Sequence, residues 1–253
     1  MSEWITITTP CRKCGEEVLV TTTQDAFESF QRSGETYPAK CEDCMKKAEQ
    51  EAAEEEARKE ADEEATLESA AKEAGVKDAY NLKTPPVRYV AKWIWEHRFE
   101  NVLLSGQTSS GKSTSAGVVA RNLIREGHSV QVKYLTGLLD EWRFVRCDND
   151  NPDAIQALFR RLESTDYLII DECADKNVNT QSTQEFMFRL LEDVYNGSFH
   201  GKVFMLGNFY RGSIGDIFGD DAPARRRIRE KFTCGLIDVV KKQIVPIHFN
   251  FSK

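Results

Sequence analysis

The chain has 253 residues, 40% of them apolar, and a formal net charge of −7, which suits one large domain plus a small one with a sizeable core. No run reaches the roughly eighteen apolar residues of a membrane span, and the start, Met-Ser-Glu-Trp, lacks a basic-then-apolar signal pattern, so a cytoplasmic protein with no membrane partner is expected. The charge is uneven: residues 42–73 hold 13 acidic and 5 basic side chains, so this tract accounts for the acidity. The near-neutral remainder leaves nucleic acid open as a partner.

In chain order, Trp4 to Thr9 alternates apolar and polar residues like a strand, and Cys11-Arg-Lys-Cys14 follows as a candidate metal knuckle. A second strand-like run, Val18 to Thr23, leads through Phe27, Phe30 and a Ser33-Gly34 turn to the second pair, Cys41-Glu-Asp-Cys44. Of the seven cysteines, these four form two Cys-x-x-Cys pairs, whereas Cys147, Cys173 and Cys234 are scattered. In a reducing compartment paired pairs point to metal rather than disulfides, and neither follows the βα pattern of a redox motif. Residues 1–44 are therefore expected to form a zinc-ribbon-like domain in which Cys11, Cys14, Cys41 and Cys44 hold a structural zinc. The 26 residues between the pairs exceed the common ribbon spacing. From residue 45 to 77 the composition shifts to Ala, Glu and Lys, strong helix formers with few large apolar residues. That tract reads as an acidic helical linker, a solvated spacer more readily than a partner-binding helix, stopped by Gly75.

Residues 78–253 read as a larger α/β domain. An irregular joint with Pro85-Pro86 precedes a helical pattern from Val87 to Phe99. Next, Asn101-Val-Leu-Leu-Ser-Gly-Gln-Thr-Ser-Ser-Gly-Lys-Ser-Thr114 gives strand, glycine loop and helix start. Gly106 and Gly111 let the backbone between them curl so that the amides of Gly106, Gln107, Thr108, Ser109, Ser110, Gly111, Lys112, Ser113 and Thr114 face phosphate oxygens. The following helix's positive end stands behind them. In this pattern Lys112 reaches the β/γ-phosphates and the Ser113 hydroxyl ligates magnesium.

After a helix from Ser113 to Glu126, strand Ser129 to Tyr134, a helix from Thr136 through Phe144 and another ending at Glu163, the run Asp166 to Ile170 reads as a buried strand ending at Asp171-Glu172. There Asp171 can hold magnesium and Glu172 can polarise an attacking water; an exposed surface pair is the alternative. A helix from Gln184 to Tyr195 precedes the strand Val203 to Asn208, whose Asn208 is placed either to reach the γ-phosphate or simply to form a turn. A basic helix follows Pro223 with Arg225, Arg226, Arg227 and Arg229, then a strand from Leu236 to Val240 and the run Ile244 to Phe251. Apolar runs alternating with helices predict a parallel sheet covered on both faces, with ligands beyond the carboxyl ends of the strands.

The order of these motifs resembles the AAA+ ATPases, and within them the DnaC/DnaI helicase loaders, with the IstB transposition ATPases close behind. The resemblance covers Asn101 to Val240 and implies a three-layer P-loop ATPase domain that binds ATP and magnesium. It puts the phosphate loop on Gly106 to Thr114, the metal-holding acid on Asp171, the catalytic acid on Glu172, the first sensor on Asn208 and the arginine finger on Arg229, with Arg225 second. The chain departs from the family in Thr-Ser-Ser before Gly111, in Leu-Gly-Asn at the sensor strand, and in having no arginine after Lys242. The resemblance implies ATP hydrolysis at subunit interfaces of a homo-oligomer, a zinc-bearing front domain that contacts a replicative helicase, and single-stranded DNA as a further partner. Two other readings remain: a transposition ATPase that binds duplex DNA and a transposase, and an adaptor protein that nucleotide locks with little hydrolysis. Lys133, Arg143, Lys176 and Arg211 lie near strand ends or loops, but scattered cations of this kind are commonly solubilising.

Overall fold

The alternation that starts at Trp4 becomes β1 (Trp4–Pro10), paired antiparallel with β2 (Glu17–Thr23) from Trp4 opposite Thr23 to Pro10 opposite Glu17. The structure, a computed structural model, describes residues 3–33, 39–76, 88–147, 152–173, 181–208 and 222–247, with the backbone only at 147, 222, 223 and 225. These residues divide into two compact units, Met1–Ala65 and Thr66–Lys253. In the first, the half-buried face of the hairpin carries Ile5, Ile7, Val18 and Val20, as a strand period of two requires. The stretch through Phe27 and Phe30, expected only as a connection, is a helix, α1 (Gln24–Ser33), with both phenylalanines half-buried. The acidic tract forms α2 (Glu42–Glu73), a 32-residue helix. Its exposed turns carry i,i+4 pairs such as Lys46–Glu42 at 2.6 Å and Lys59–Glu55 at 2.8 Å, each worth only a few tenths of a kcal/mol.

The second unit is built on a sheet of six strands in the order β4-β5-β6-β3-β7-β8. The strands are β3 (Asn101–Ser105), β4 (Val130–Tyr134), β5 (Tyr167–Asp171), β6 (Lys202–Gly207), β7 (Phe232–Asp238) and β8 (Gln243–Pro246). The first five are parallel, and β8 runs antiparallel to β7. Buried central strands are continuous apolar runs because helices cover both faces. On one face Leu103, Leu168 and Ile170 pack with Leu138 and Trp142 of α5 (Leu135–Cys147), Phe159 of α6 (Pro152–Glu163), Phe186 of α7 (Gln181–Asn196) and Ile228 of α8 (Ala222–Lys231). On the other, Val102, Leu104 and Ile169 pack with Val90 and Ile94 of α3 (Arg88–Glu96) and with Val119 and Leu123 of α4 (Lys112–Arg125). This is the three-layer α/β arrangement expected. Among the described residues no helix is long and apolar enough to cross a membrane.

The differences from the sequence reading have local causes. The last parallel strand starts at Phe232 rather than Leu236, because Phe232 to Leu236 pair with Asn101 to Ser105. It ends at Asp238, whose Oδ1 accepts the amides of Val240 and Lys241 at 3.1 and 3.0 Å and turns the chain into β8. The last turns of α2 are not a solvated spacer: Leu67 and Ala71 are buried, and Ala71 and Val76 join the core under β4. The Val132 amide donates to the Ala74 carbonyl at 2.6 Å, so residues 74–76 cover the free edge of β4. The irregular joint at 78–87 and the end of the run after residue 247 lie outside the described residues.

Candidate functional site

Three strand ends bring the predicted groups to one level. Ser105, at the end of β3, pairs with Gly207 on β6 and with Leu236 on β7. On the far side of β6, Ile170 pairs with Met205, and Asp171 pairs with Tyr134 of β4. Gly106, Glu172 and Asn208 therefore leave the sheet side by side at its carboxyl edge, where such sheets place ligands. β6 ties its two neighbours together: the Gly207 carbonyl accepts the Gly106 amide at 3.1 Å, and the Leu206 carbonyl accepts the Cys173 amide at 2.9 Å.

The loop after β3 has the backbone that anion binding needs. A Cβ on Gly106 would lie 2.7 Å from Ser110 Oγ and 3.1 Å from Ile237 Cβ, so a side chain there would have to displace both. Ser109 has φ +63° and Gly111 φ +83°, left-handed residues that turn successive amides toward one concavity. Gly111 is the N-cap of α4 and has no side chain with which to satisfy the helix's first amides. Gln107, Thr108 and Ser109 are exposed, Ser110 is buried, and Ser113 and Thr114 are half-buried at the helix start. Lys112 Nζ donates to the Gly106 and Gln107 carbonyls at 2.8 and 2.9 Å and to Ser110 Oγ at 3.3 Å. Burial pushes the Lys112 pKa down, while the charge of Asp171 pulls it back up. The loop lysine and the β5 acid thus act on each other.

Asp171 is 4% exposed. Its Oδ1 accepts the amide of Glu172 at 2.8 Å, and Glu172, at φ +57°, is exposed. A buried carboxylate beside an exposed one suits an ion-holding group next to a water-facing base. Asn208 is half-buried immediately after β6. Arg229 is exposed on α8 and joins none of these groups through a described hydrogen bond or ion pair; the Arg225 side chain is outside the described residues. Their neighbour Arg227 packs 4.4 Å from the Phe188 ring and reaches Glu192 at 3.4 Å. Of the other basic candidates, Lys133 lies 3.5 Å from Glu141 and Arg143 lies 3.3 Å from Asp140, while Lys176 and Arg211 are outside the described residues.

In the first unit, the Sγ atoms of Cys11, Cys14, Cys41 and Cys44 all lie within 4.8 Å of one another, with Cys14 and Cys41 3.5 Å apart. Tetrahedral zinc with bonds of about 2.3 Å sets its sulfurs about 3.8 Å apart, so the donor set fits that ion. Cys11 follows β1, whereas Cys44 lies in the first turn of α2 and its amide points at Cys41 Sγ at 3.4 Å. The second pair thus opens a helix instead of forming a second ribbon knuckle, and α1 takes up the long spacing between the pairs. The Arg12 amide binds the Ala39 carbonyl at 3.0 Å and holds the halves together. Backbone amides of Cys14, Cys41 and Lys13 bring the Cys11 thiol down to about 6, while side-chain hydrogen bonds with Cys41 and Cys14 push Cys44 up to about 12. Crowded sulfurs ionise easily once and then resist, a conflict that a dication removes.

Two contributors were not singled out in the sequence. Gly207 supplies the carbonyl that holds the loop's first residue, and its signal was the Leu-Gly-Asn departure at the sensor strand. Cys173, read as a scattered cysteine, is fully buried beside the acidic pair, and its signal was its place directly after Asp171-Glu172.

Comparison with protein families finds a match of residues 18–225 to the model described as IstB-like ATP binding protein. No curated protein matches the chain. Among solved structures the chain is similar to a DNA replication initiation factor, at 12% identity and TM-score 0.44, covering 59% of this chain and 44% of that one. It is similar to the DnaC helicase loader at 10% identity and TM-score 0.45, covering 58% and 86%, and to DnaI at 14% and 0.46, covering 58% and 81%. The chain thus spans under half the length of the first and over four fifths of the other two.

Proposed function

Because the chain belongs to the IstB-like ATP binding protein family, we propose that it is an ATPase; the order of its motifs, with a four-cysteine module in front of them, supports the reading that it loads a ring-shaped replicative helicase onto single-stranded DNA in the cytoplasm. The observation that carries the ATPase reading is the shared level of Gly106, Glu172 and Asn208, tied through β6. The Gly106 amide is taken by the Gly207 carbonyl, so the loop amides that follow it, up to Thr114, hold the phosphates, and Lys112 exchanges its carbonyl partners for phosphate oxygens. Ser113 and Asp171 would hold magnesium, which supplies charge neutralisation at the transferred phosphoryl group. Glu172, exposed beside Asp171, takes the proton of the attacking water, and Asn208 orients that water or the γ-phosphate. Arg229, exposed on α8, is offered to the nucleotide of an adjoining copy, with Arg225 as the second candidate; hydrolysis is then a property of the homo-oligomer. The zinc-bearing unit is the contact for the helicase.

A second reading is a transposition ATPase acting with a transposase on duplex DNA, favoured by the IstB-like family match. Turnover measured alone, with single-stranded DNA and with duplex, for the parent, Glu172→Gln and Arg229→Ala, separates the readings. The loader reading expects stimulation by single strands, abolished in both variants. Preference for duplex supports transposition, and equal low turnover in all three proteins supports a non-hydrolysing adaptor.

A further inference from the structure

The chain leaves β5 through a turn with an unusual pattern of exposure: Asp171 is 4% exposed, Glu172 is exposed, and Cys173 is 0% exposed. Glu172 sits between two buried anchors with φ +57°, a left-handed conformation that a residue with a Cβ holds only where its surroundings over-determine it. Three hydrogen bonds do so. The Glu172 amide donates to Asp171 Oδ1 at 2.8 Å, the Cys173 amide to the Leu206 carbonyl at 2.9 Å, and the Cys173 thiol back to the Ile170 carbonyl at 3.2 Å. The Cys173 side chain also packs in the core cluster that contains Leu103, Ile170 and Ile228.

We propose that Cys173 is a positioning residue for Glu172: its buried side chain and its bonds to Ile170 and Leu206 pin the turn that aims the Glu172 carboxylate over the nucleotide edge. This rests on the reading of Glu172 as the base. The role needs a small side chain that fills an apolar site and still donates one hydrogen bond across a tight turn, which the thiol does. The Cys173 amide's bond to Leu206 joins the turn to β6, whose next residues are Gly207, which holds Gly106, and Asn208. A shift at Cys173 is therefore felt first at the orientation of Glu172, before the phosphate loop.

The test compares Cys173→Ser, which keeps a donor of similar shape, with Cys173→Val, which fills the volume without a donor, and Cys173→Ala, which does neither. ATP affinity with magnesium, kcat, and the effect of each change in a Glu172→Gln background are measured on the full chain. The expected result is ATP affinity within about twofold of the parent for all three, with kcat reduced about tenfold in Val and Ala but within about threefold in Ser, since small misplacements at a reacting centre cost rate steeply. In the Glu172→Gln background the Val and Ala changes cost nothing further, because the group they position is gone. If Val and Ser both keep the parent's kcat, or if the loss persists unchanged with Gln at 172, Cys173 is a packing residue only and the proposal falls. If Glu172→Gln itself leaves turnover intact, the assignment of the base falls with it, whatever the cysteine variants do.

Discussion

Lys112 is a half-buried cation held only by neutral groups. Its ammonium has three donors, and Gly106 O, Gln107 O and Ser110 Oγ take them. These are neutral acceptors, which the phosphate oxygens of the proposed nucleotide would replace with stronger, charge-assisted bonds. Lys112→Ala is expected to weaken ATP affinity by about 10- to 100-fold, the worth of one such bond, as read by equilibrium titration. Burial lowers the pKa of Lys112, so the folded protein loses this proton before the unfolded chain does. Between those two pKa values the unfolded chain binds more protons, and this group's contribution to stability rises with pH. Nucleotide affinity runs the other way, because phosphate requires the ammonium form. Titrations across the alkaline range should show affinity falling as pH rises, beginning below the usual lysine range. At this scale the loop residues and Asp171 were legible, because their spacing follows a strand. The left-handed turn at Glu172 was not, since nothing in Asp-Glu-Cys specifies a torsion held by Leu206 and Ile170 from outside the motif.

Among the elements, the end of α2 contributes more than its composition suggests. Gly75 has φ +90°, and a Cβ there would lie 2.3 Å from the Val132 carbonyl oxygen of the edge strand β4. Gly75→Ala should destabilise the second unit by about 2 kcal/mol or more, which for a domain of this size lowers Tm by about 4–8 °C; a thermal melt monitored at the tryptophans reads it. A chain beginning at residue 78 should aggregate more readily than one beginning at residue 66, because it uncovers the β4 edge. β3 and β5 were readable as apolar runs, and α4 from the loop before it. The docked turns of α2 were not, because Leu67, Ala71 and Val76 are sparse apolar positions in a tract whose glutamates and alanines suit a solvated helix equally well. The start of β7 was hidden for a different reason: α8 passes into it at Phe232 with no turn residue between.

For the whole molecule, a four-sulfur cluster in one unit and a candidate nucleotide edge in the other make separable demands. One zinc per chain is expected by elemental analysis. Its removal by a chelator should unfold the first unit while changing ATP affinity by no more than about twofold, since binding energy and folding energy are the same quantity at such a small metal site. If Arg229 serves a neighbour, Arg229→Ala and Glu172→Gln proteins, each left with only residual turnover alone, should regain part of the parent's turnover when mixed, because mixed interfaces contain one intact site. Self-assembly is what the family resemblance implies, and recovery of turnover on mixing is the measurement that tests it. The central claim, that one carboxyl sheet edge gathers Lys112, Asp171 and Glu172 into a site for ATP and magnesium, is tested most directly by titrating the Glu172→Gln protein with ATP, with and without magnesium. Magnesium-dependent binding retained in Glu172→Gln and lost in Lys112→Ala is the predicted result; no affinity for adenine nucleotides with magnesium present would contradict it.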